Sequence, residues 1–436
     1  MGTPLLGSAL DFRRDALAVY MRAMQEYGDV VRWRLGPPVL GMDAYGVFHP
    51  EGVRHVLSAQ APYERSGRLI SELQAMIGGG LLTSNGDEWL WQRRTLQPLF
   101  TQKQAQTYAT VIREEADALI ERWRPDAAVG RPVELHAEMT RCALTILCRT
   151  MFGEAVDEAL PVIGRFLPLA SAWILRRGTA PIPLPARLPT RTGRRTRAAQ
   201  SAAFHLVDRL IARGPTADGR DTLLDLLHGV RHEQTGQALD PAAMRDQALV
   251  FLTAGQETTA TALVFTLHLL AQHPETQQQV REEADAVLDG VLAGAAGVDA
   301  LSFTRMVVKE ALRLYPTVYA LSRSAVADDV IEGHPIPAGA LVLLSPWATH
   351  RHRDFWPEPD RFDPDRFTAP AEASRHRYAW FPFGGGPRAC IGVHMSMLEM
   401  LIVTAAVTRA YTLACPDERL PLSAETTLRP AGRVPC

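Results

Sequence analysis

Helical periodicity dominates the first three quarters of the chain, and strand-like alternation is confined to short segments. The best-defined helix is predicted at about 241–272, where apolar residues cover most faces, so we expect it to be buried. Asp240 suits its N-cap and Pro241 its first position, and Pro274 marks its end. At 1.5 Å per residue it would be roughly 48 Å long, enough to cross a domain. We therefore predict a single domain over residues 1–436.

Strand patterns appear in two places. Residues 30–44 are predicted to form a hairpin, and residues 330–344 read as short strands interrupted by glycine and proline. Residues 351–390 are rich in proline, arginine, aspartate and aromatic residues, which predicts an ordered irregular segment, and such long segments are usually functional. The fold class is thus mainly α with small β-sheets.

A basic segment at residues 176–197 contains seven arginines, four prolines and no acidic residue. Its composition favours a solvated loop that leads into a helix. The alternative is a mobile lid or a surface for an acidic partner.

Composition narrows the class of protein. The chain has 436 residues, of which 47% are hydrophobic and 22% charged, with a net charge of −2, so nothing points to nucleic acid. No run of 18 or more apolar residues is present, and four charges at residues 11–15 argue against a signal peptide or membrane anchor. We expect a cytoplasmic protein with no transmembrane segment. Scarce lysine and asparagine indicate a GC-rich bacterial genome.

Cys390 lies between a glycine turn and an apolar helical segment, within residues 383–401. It could be an inert core thiol, or a nucleophile assisted by His394. A phosphate loop is disfavoured, because GGGP lacks the following G-K-[ST]. As a metal ligand, its thiolate would be stabilised by the helix N-terminus, and the glycines would let the backbone approach a large planar ligand. The five scattered cysteines, without C-x-x-C, fit neither a disulfide framework nor a zinc site.

Phe383, Gly386, Arg388, Cys390 and Gly392 match F-x-x-G-x-R-x-C-x-G, so this segment resembles the haem loop of the cytochromes P450. In that family a cysteine thiolate ligates the haem iron. The resemblance implies haem b with Cys390 as its metal ligand, and the cytochrome P450 fold with a long central helix over a buried haem.

The chain carries further motifs of the same family. Glu310 and Arg313 form E-x-x-R, and Arg366 occupies the arginine of P-x-R-F. The resemblance implies a buried ionic triad of these three residues that braces the haem loop, and losing one member would strand a charge.

Residues 254–259, AGQETT, match [A/G]-G-x-[D/E]-T-[T/S] within the predicted central helix. Glycine and threonine are unfavourable in mid-helix, so packing or function must favour them there. By resemblance, Thr258 hydrogen-bonds dioxygen or a water and Glu257 helps to relay protons.

Several residues resemble the family's contacts to the haem propionates. Trp89 and Arg93 form W-x-x-x-R on a predicted helix, and Arg323 and Arg388 match two further contacts. Arginine suits a carboxylate because its planar fork is always charged.

The substrate pocket is predicted from helical spacing and from position after the E-x-x-R helix. Residues spaced by four share one helix face. Residues 65–84 are expected to be flexible and mostly apolar. Together with the helix positions and the residues after the E-x-x-R helix, this segment favours a lipophilic substrate such as a terpenoid, a polyketide or a fatty acid. Val250 and Leu321 are also compatible with core positions. The candidate pocket residues are Val250, Ala254, Tyr319, Ala320 and Leu321.

The resemblance implies a monooxygenation, in which two electrons and two protons split dioxygen and one oxygen atom enters the substrate. No flavin or ferredoxin domain is recognisable, so electrons from NAD(P)H are expected through a separate ferredoxin reductase and ferredoxin. Arg93 and Arg94 begin a basic patch that suits an acidic ferredoxin.

Other functions remain open at the sequence level. A peroxide-dependent peroxygenase is disfavoured by the intact pair of Glu257 and Thr258. Oxidative coupling or cyclisation by the same haem chemistry is compatible with every motif. A non-catalytic haem sensor is disfavoured, because no DNA-binding or signalling segment is recognisable.

Overall fold

In the computed structural model of the protein, helices predominate. The structure describes residues 7–37, 41–58, 61–153, 157–180, 185–186, 188, 190–214, 222–231, 236, 238–288 and 298–436. The α-helices in these ranges are α1 Ala9–Tyr27, α2 Pro50–Leu57, α3 Arg68–Ile77, α4 Gly86–Leu96, α5 Gln102–Thr107, α6 Ala109–Ala128, α7 Leu135–Met151, α8 Ala159–Gly178, α9 Arg191–Ala212, α10 Leu223–Gly229, α11 Pro241–Gln272, α12 Pro274–Leu288, α13 Ser302–Leu314, α14 Pro346–Thr349, α15 Ala369–Ser374 and α16 Val393–Ala410.

Strands form three small sheets. The largest has the order β1-β2-β7-β4-β3, in which β2 and β7 are parallel and the other neighbours antiparallel. The remaining two are the hairpins β5–β6 and β8–β9. The strands are β1 Val30–Leu35, β2 Met42–Val47, β3 Tyr63–Glu64, β4 Leu321–Ala325, β5 Asp329–Ile331, β6 His334–Ile336, β7 Leu341–Leu344, β8 Leu422–Ala424 and β9 Leu428–Pro430. A mainly α fold with small β-sheets is therefore confirmed.

Both predicted strand regions are found. The N-terminal hairpin is β1–β2, and residues 330–344 carry most of β5 and all of β6 and β7. Glu332 and Gly333 join β5 to β6 with φ of 48° and 81°. Two successive positive φ values are typical of the tight turn whose twist matches antiparallel strands.

The central helix α11 runs from Pro241 to Gln272, as predicted. The Asp240 side chain accepts the Ala243 N–H at 2.7 Å, which caps its first turn, and Pro274 starts the next helix. Helices α7, α9 and α16 pack around it, so most of its side chains are buried. The main hydrophobic core forms around this helix.

Three helices, α8, α11 and α16, are long and apolar enough to cross a membrane by length and composition alone. In α11 and α16, 72% and 67% of the most apolar window is buried inside the protein, which accounts for their hydropathy. In α8, 33% of the most apolar window is buried inside the protein.

Two segments are more regular than the sequence predicted. Within residues 65–84, α3 is followed by the triglycine Gly78–Gly80, which α11 anchors because Asp246 accepts the Gly79 N–H at 2.7 Å. In the basic segment 176–197, α8 ends at Gly178 and α9 begins at Arg191. Residues 181–184, 187 and 189 lie outside the described residues, so its role as a loop, a lid or a partner surface stays a prediction.

Glu399 is a buried carboxyl in the middle of α16, with an exposed fraction of only 3%. Its Oε1 has no hydrogen-bond partner among the described residues. Burial raises the pKa of Glu399 well above its ordinary value. The group is therefore a neutral acid over a wider pH range than an ordinary glutamate.

We expect Glu399→Gln to remove a pH-dependent cost to stability. The folded protein holds the Glu399 proton more tightly than the unfolded chain, so stability falls as pH rises above about 4.3, the unfolded pKa. Between the unfolded and folded pKa values the wild type should lose about 1.4 kcal/mol per pH unit relative to the variant. Urea unfolding of both proteins from pH 5 to pH 8 measures this, and parallel profiles would show that the carboxyl does not titrate in this way.

Candidate active site

Cys390 lies at the end of a glycine-rich loop that leads into α16. The loop makes a 3₁₀ turn at Gly386–Arg388, and the Cys390 N–H then donates to the Phe383 carbonyl at 2.9 Å. Gly392 is the N-cap of α16, and its N–H donates to the Cys390 thiol. The loop thus fixes the sulfur just ahead of a helix N-terminus.

Two glycines let the loop pack closely against the rest of the protein. Gly386 has φ of +64°, and a Cβ there would lie 1.8 Å from the Leu57 carbonyl oxygen. A Cβ on Gly385 would lie 2.3 Å from Cε1 of Tyr378. The backbone path to Cys390 therefore requires glycine at both positions.

The Cys390 residue has exposed surface, although many protein atoms surround its thiol. Burial raises the pKa of its thiol, while the Gly392 N–H and the charges of Arg93 and Arg65 oppose that rise. An accessible sulfur with these partners is suited to a metal that would hold it as thiolate. His394 is exposed and makes no hydrogen bond with Cys390 among the described contacts, so a Cys–His nucleophile pair is not formed.

Four arginines form a cluster beside the Cys390 loop: Arg65, Arg93, Arg323 and Arg388. The charges of Arg65 and Arg93 act on the Cys390 thiol, and those of Arg65 and Arg388 act on Arg323. Burial lowers the pKa of Arg323 to about 9 and that of Arg388 to about 10, and the charge of Arg65 adds to both shifts. Among the described residues, no carboxylate lies within ion-pair distance of these four guanidinium groups. One buried and three half-buried cations that lack a paired carboxylate indicate an anionic ligand.

Hydrogen bonds hold these arginines in place. Arg93 donates to the Ala389 carbonyl at 2.9 Å, and Arg388 donates to the Ser84 carbonyl at 2.9 Å. Asn85 bridges two of them, because its Oδ1 accepts from Arg388 at 2.8 Å and its Nδ2 donates to the Arg65 carbonyl at 2.6 Å.

Sequence reasoning missed Arg65. It belongs to none of the motifs, and it reaches the site only through the tertiary fold. Trp89, on α4, was predicted, and its ring lies 4.3 Å from the Arg388 guanidinium carbon.

The motif of α11 lies against the first turn of α16, because the hydroxyls of Thr259 and Ser396 are 3.1 Å apart. Ala254 is exposed although the helix around it is buried, so it faces interior space. The Thr258 hydroxyl donates to the Ala254 carbonyl at 2.7 Å. On another side, a Cβ on Gly255 would lie 3.2 Å from Leu147 of α7, so close packing explains this glycine.

Glu257 points toward the β8–β9 hairpin. Burial raises the pKa of its carboxyl, which the Thr427 hydroxyl and the Arg429 charge partly oppose. A carboxyl shifted in this direction is better matched to proton transfer near neutral pH than an ordinary glutamate.

The other candidate pocket residues occupy two walls. Val250 is buried and packs against the triglycine, since a Cβ on Gly80 would lie 2.7 Å from its Cγ2. Tyr319 donates its hydroxyl to the Glu425 carbonyl at 2.7 Å, which joins this wall to the β8–β9 hairpin. Ala320 and Leu321 are half-buried where β4 begins.

The three members of the predicted ionic triad come together in the core. Arg313 and Glu310 are fully buried and joined by two hydrogen bonds, of 2.6 Å and 2.8 Å. Arg366 completes the group, because its Nε lies 3.6 Å from Oε1 of Glu310. Burial raises the pKa of Glu310, and Arg313 opposes the shift.

These features fit a haem. Cys390 offers a sulfur ligand, the four arginines offer positive charge for two carboxylates, and Ala254 leaves one exposed apolar position on the otherwise largely buried α11. The arginine cluster is the strongest sign, because none of its members forms an ion pair with a carboxylate among the described residues.

The chain is similar to known proteins over almost its whole length. The cytochrome P450 family model matches residues 1–434. The chain is 33% identical over 413 residues to cyclooctat-9-en-7-ol 5-monooxygenase of Streptomyces melanosporofaciens, covering 94% of this chain and 88% of that enzyme. It is 30% identical over 431 residues to pentalenene oxygenase of Streptomyces avermitilis, covering 98% and 94%.

Solved structures are similar over the same length. A cytochrome P450 named CYP102L1 has a TM-score of 0.86 and 27% identity, with 98% of each chain covered. The cytochrome P450DA heme domain has a TM-score of 0.86 and 25% identity, with 100% of this chain and 96% of that chain covered.

Proposed function

This chain belongs to the cytochrome P450 family of monooxygenases, and we propose that it oxidises a terpenoid-like lipophilic molecule in bacterial secondary metabolism. The observation that carries the lipophilic character of the substrate is Ala254, an apolar residue of α11 that is exposed although most of the helix around it is buried. Three relatives at about 30% identity support it through their names: the two enzymes above and cyclooctatin synthase of S. melanosporofaciens.

Different residues of this chain would bind the haem, orient the substrate and deliver protons. Cys390 would hold haem b through its sulfur, and Arg65, Arg93, Arg323 and Arg388 would bind its two propionates. When bound, a haem with a thiolate ligand supplies the activation of dioxygen. The apolar wall would orient the substrate and exclude water.

Thr258 and Glu257 would hold and deliver protons. The Thr258 hydroxyl is fixed by the Ala254 carbonyl, so its oxygen remains able to accept a hydrogen bond from a water. Glu257 would supply protons from the side of the β8–β9 hairpin, because its raised pKa keeps it protonated at higher pH than an ordinary glutamate.

Electrons from NAD(P)H would arrive through a separate ferredoxin reductase and ferredoxin. Arg94 is exposed on α4, next to Arg93, which contacts the cysteine loop. An exposed cation there suits an acidic partner. We also propose that the chain acts as a single domain in the cytoplasm.

Substrate class is tested with a panel of terpene hydrocarbons, terpene alcohols, a macrolide precursor and fatty acids. Each is incubated with the holoenzyme, surrogate ferredoxin proteins and labelled dioxygen, and products are identified by mass spectrometry. Oxidation of terpenoids with one labelled oxygen atom is expected. Oxidation of fatty acids alone would overturn the proposed class. Unlabelled product formed at the same rate from peroxide alone, without the ferredoxin proteins, would favour a peroxygenase.

We expect Thr258→Ala to separate electron consumption from product formation. Loss of a positioned proton-transfer group typically costs 10²–10⁴-fold, so we expect product per NADPH to fall at least about tenfold. Substrate binding should change little. Product and NADPH are measured together in each reaction.

The control is Thr259→Ala. The Thr259 hydroxyl faces Ser396 on α16, so its loss should leave product per NADPH unchanged. Equal effects of the two substitutions would contradict the role given to Thr258.

A further inference from the structure

A cavity lies beside the cysteine loop, among α5, α13, the segment before Cys390 and the start of α16. Its volume is about 260 Å³. Small-molecule pockets usually enclose about 300–1,000 Å³, so this cavity has room for a small ligand. The described residues that line it include no member of the arginine cluster and none of the candidate substrate-pocket residues. It is therefore a separate candidate site.

Most residues that line this cavity are apolar. Val298, Leu398 and Leu401 are buried side chains at its surface. The rings of Trp380 and Phe383 also line it, with their centroids 6.3 Å apart and their planes at 73°. Aromatic rings attract a further ring in edge-to-face or offset contact, and burial of apolar surface adds to that attraction. The lining thus favours a ligand with an aromatic body.

Two cations of α13 line the same cavity. Arg305 and Lys309 are spaced by four, so they share a helix face. Lys309 is already engaged, because it donates to the two carboxylate oxygens of Glu372 at 2.8 Å and 2.7 Å. Arg305 is held more weakly, at 3.5 Å from the Val298 carbonyl and 3.7 Å from Asp299, whose side chain is 60% exposed. Its planar guanidinium is suited to a carboxylate.

Three further polar side chains converge on the cavity. Gln102 and Gln106 are spaced by four on α5, and His394 is an exposed residue in the first turn of α16. Within the described part of the chain, none of these three side chains has a hydrogen-bond partner. Amide and imidazole groups can donate to an anion. An apolar cavity with a few convergent polar groups is typical of a small-molecule site.

We propose that this cavity binds a small aromatic carboxylate, with its ring against Trp380 and Phe383 and its carboxylate on Arg305. The site is also coupled to the cysteine loop. The Phe383 carbonyl accepts the Cys390 N–H at 2.9 Å. A ligand packed between α13 and Phe383 restrains this loop, and its binding therefore slows the loss of haem.

The test uses holoprotein whose iron is occupied by phenylimidazole, so that the substrate pocket is blocked. Naphthoate and its neutral analogue naphthylmethanol are titrated into it, and the heat of binding is measured. We expect one saturable site for naphthoate and at least about tenfold weaker binding of the alcohol, which cannot form charge-assisted hydrogen bonds with Arg305. The phenylimidazole spectrum should not change. Haem transfer to apomyoglobin should be slower when naphthoate is saturating.

Arg305→Gln should weaken naphthoate binding at least about tenfold and leave the haem content unchanged, since the contacts of Arg305 within the protein are long. The control is Arg124→Gln. Arg124 is an exposed residue of α6 whose charge acts on Tyr411, just after the opposite end of α16. Its naphthoate affinity should equal that of the wild type.

No saturable binding of naphthoate, equal binding of the alcohol, or wild-type affinity in Arg305→Gln would overturn the proposal. Weaker ferredoxin binding by Arg305→Gln, with no binding of naphthoate to the wild type, would assign the cavity to a protein partner instead. An unchanged rate of haem transfer in the saturated protein would overturn the coupling to the cysteine loop.

Discussion

Replacement of Arg313 by alanine is expected to lower the free energy of unfolding by roughly 3–5 kcal/mol, the usual cost of removing one partner from a buried ion pair. All five N–H groups of this guanidinium are used. Two donate to Glu310, and the other three donate to the carbonyls of His350, Pro359 and Arg361 at 2.6–3.0 Å. The variant leaves three buried or half-buried carbonyls without the Arg313 donor. Glu310 then keeps Arg366 as its remaining cation.

Guanidinium unfolding, followed by circular dichroism, measures this loss. The control is Arg361→Ala, which removes an exposed neighbour paired with Glu358 and Asp363. Exposed ion pairs contribute about 0–1 kcal/mol, so the control should remain close to wild type. Similar losses in the two variants would contradict the role assigned to burial.

Gly386→Ala is expected to impair haem retention at least roughly tenfold, because a non-glycine residue with positive φ costs about 1–3 kcal/mol even before any clash. Here the added Cβ would also meet the Leu57 carbonyl oxygen at 1.8 Å. The loop has to move, and Cys390 and Arg388 move with it. The haem content per protein chain, measured on the purified variant, reports the effect.

Gly432→Ala is the matched control. A Cβ at Gly432 meets nothing within 4 Å, and its φ is not positive. Its haem content should equal that of the wild type. Full haem content in Gly386→Ala would show that the loop tolerates a different path and that the close contact with Leu57 is not required.

Local pattern was enough to predict the elements that carry their own signals. The ends of α11 follow from Asp240, Pro241 and Pro274, since caps and prolines act on the neighbouring backbone. The cysteine loop follows from the spacing between Phe383 and Gly392. In such segments the residues that decide the structure are adjacent in the chain.

Other parts of the site depend on contacts between distant segments. Arg65 belongs to no motif, and its place near Cys390 depends on Asn85. The position of the β8–β9 hairpin against Glu257 depends on Tyr319, more than one hundred residues earlier in the chain. Sequence spacing carries no information about contacts between such distant segments, so Arg65 and the place of the hairpin were found only in the folded protein.

We propose that Cys390 binds haem iron as a thiolate. Its most direct test is the absorbance spectrum of the dithionite-reduced protein with and without carbon monoxide. We expect a strongly red-shifted Soret band that Cys390→Ser abolishes, because thiolate ligation donates electron density to the iron. Bound haem without this band in the wild type would mean another ligand or a neutral thiol, and would contradict the account.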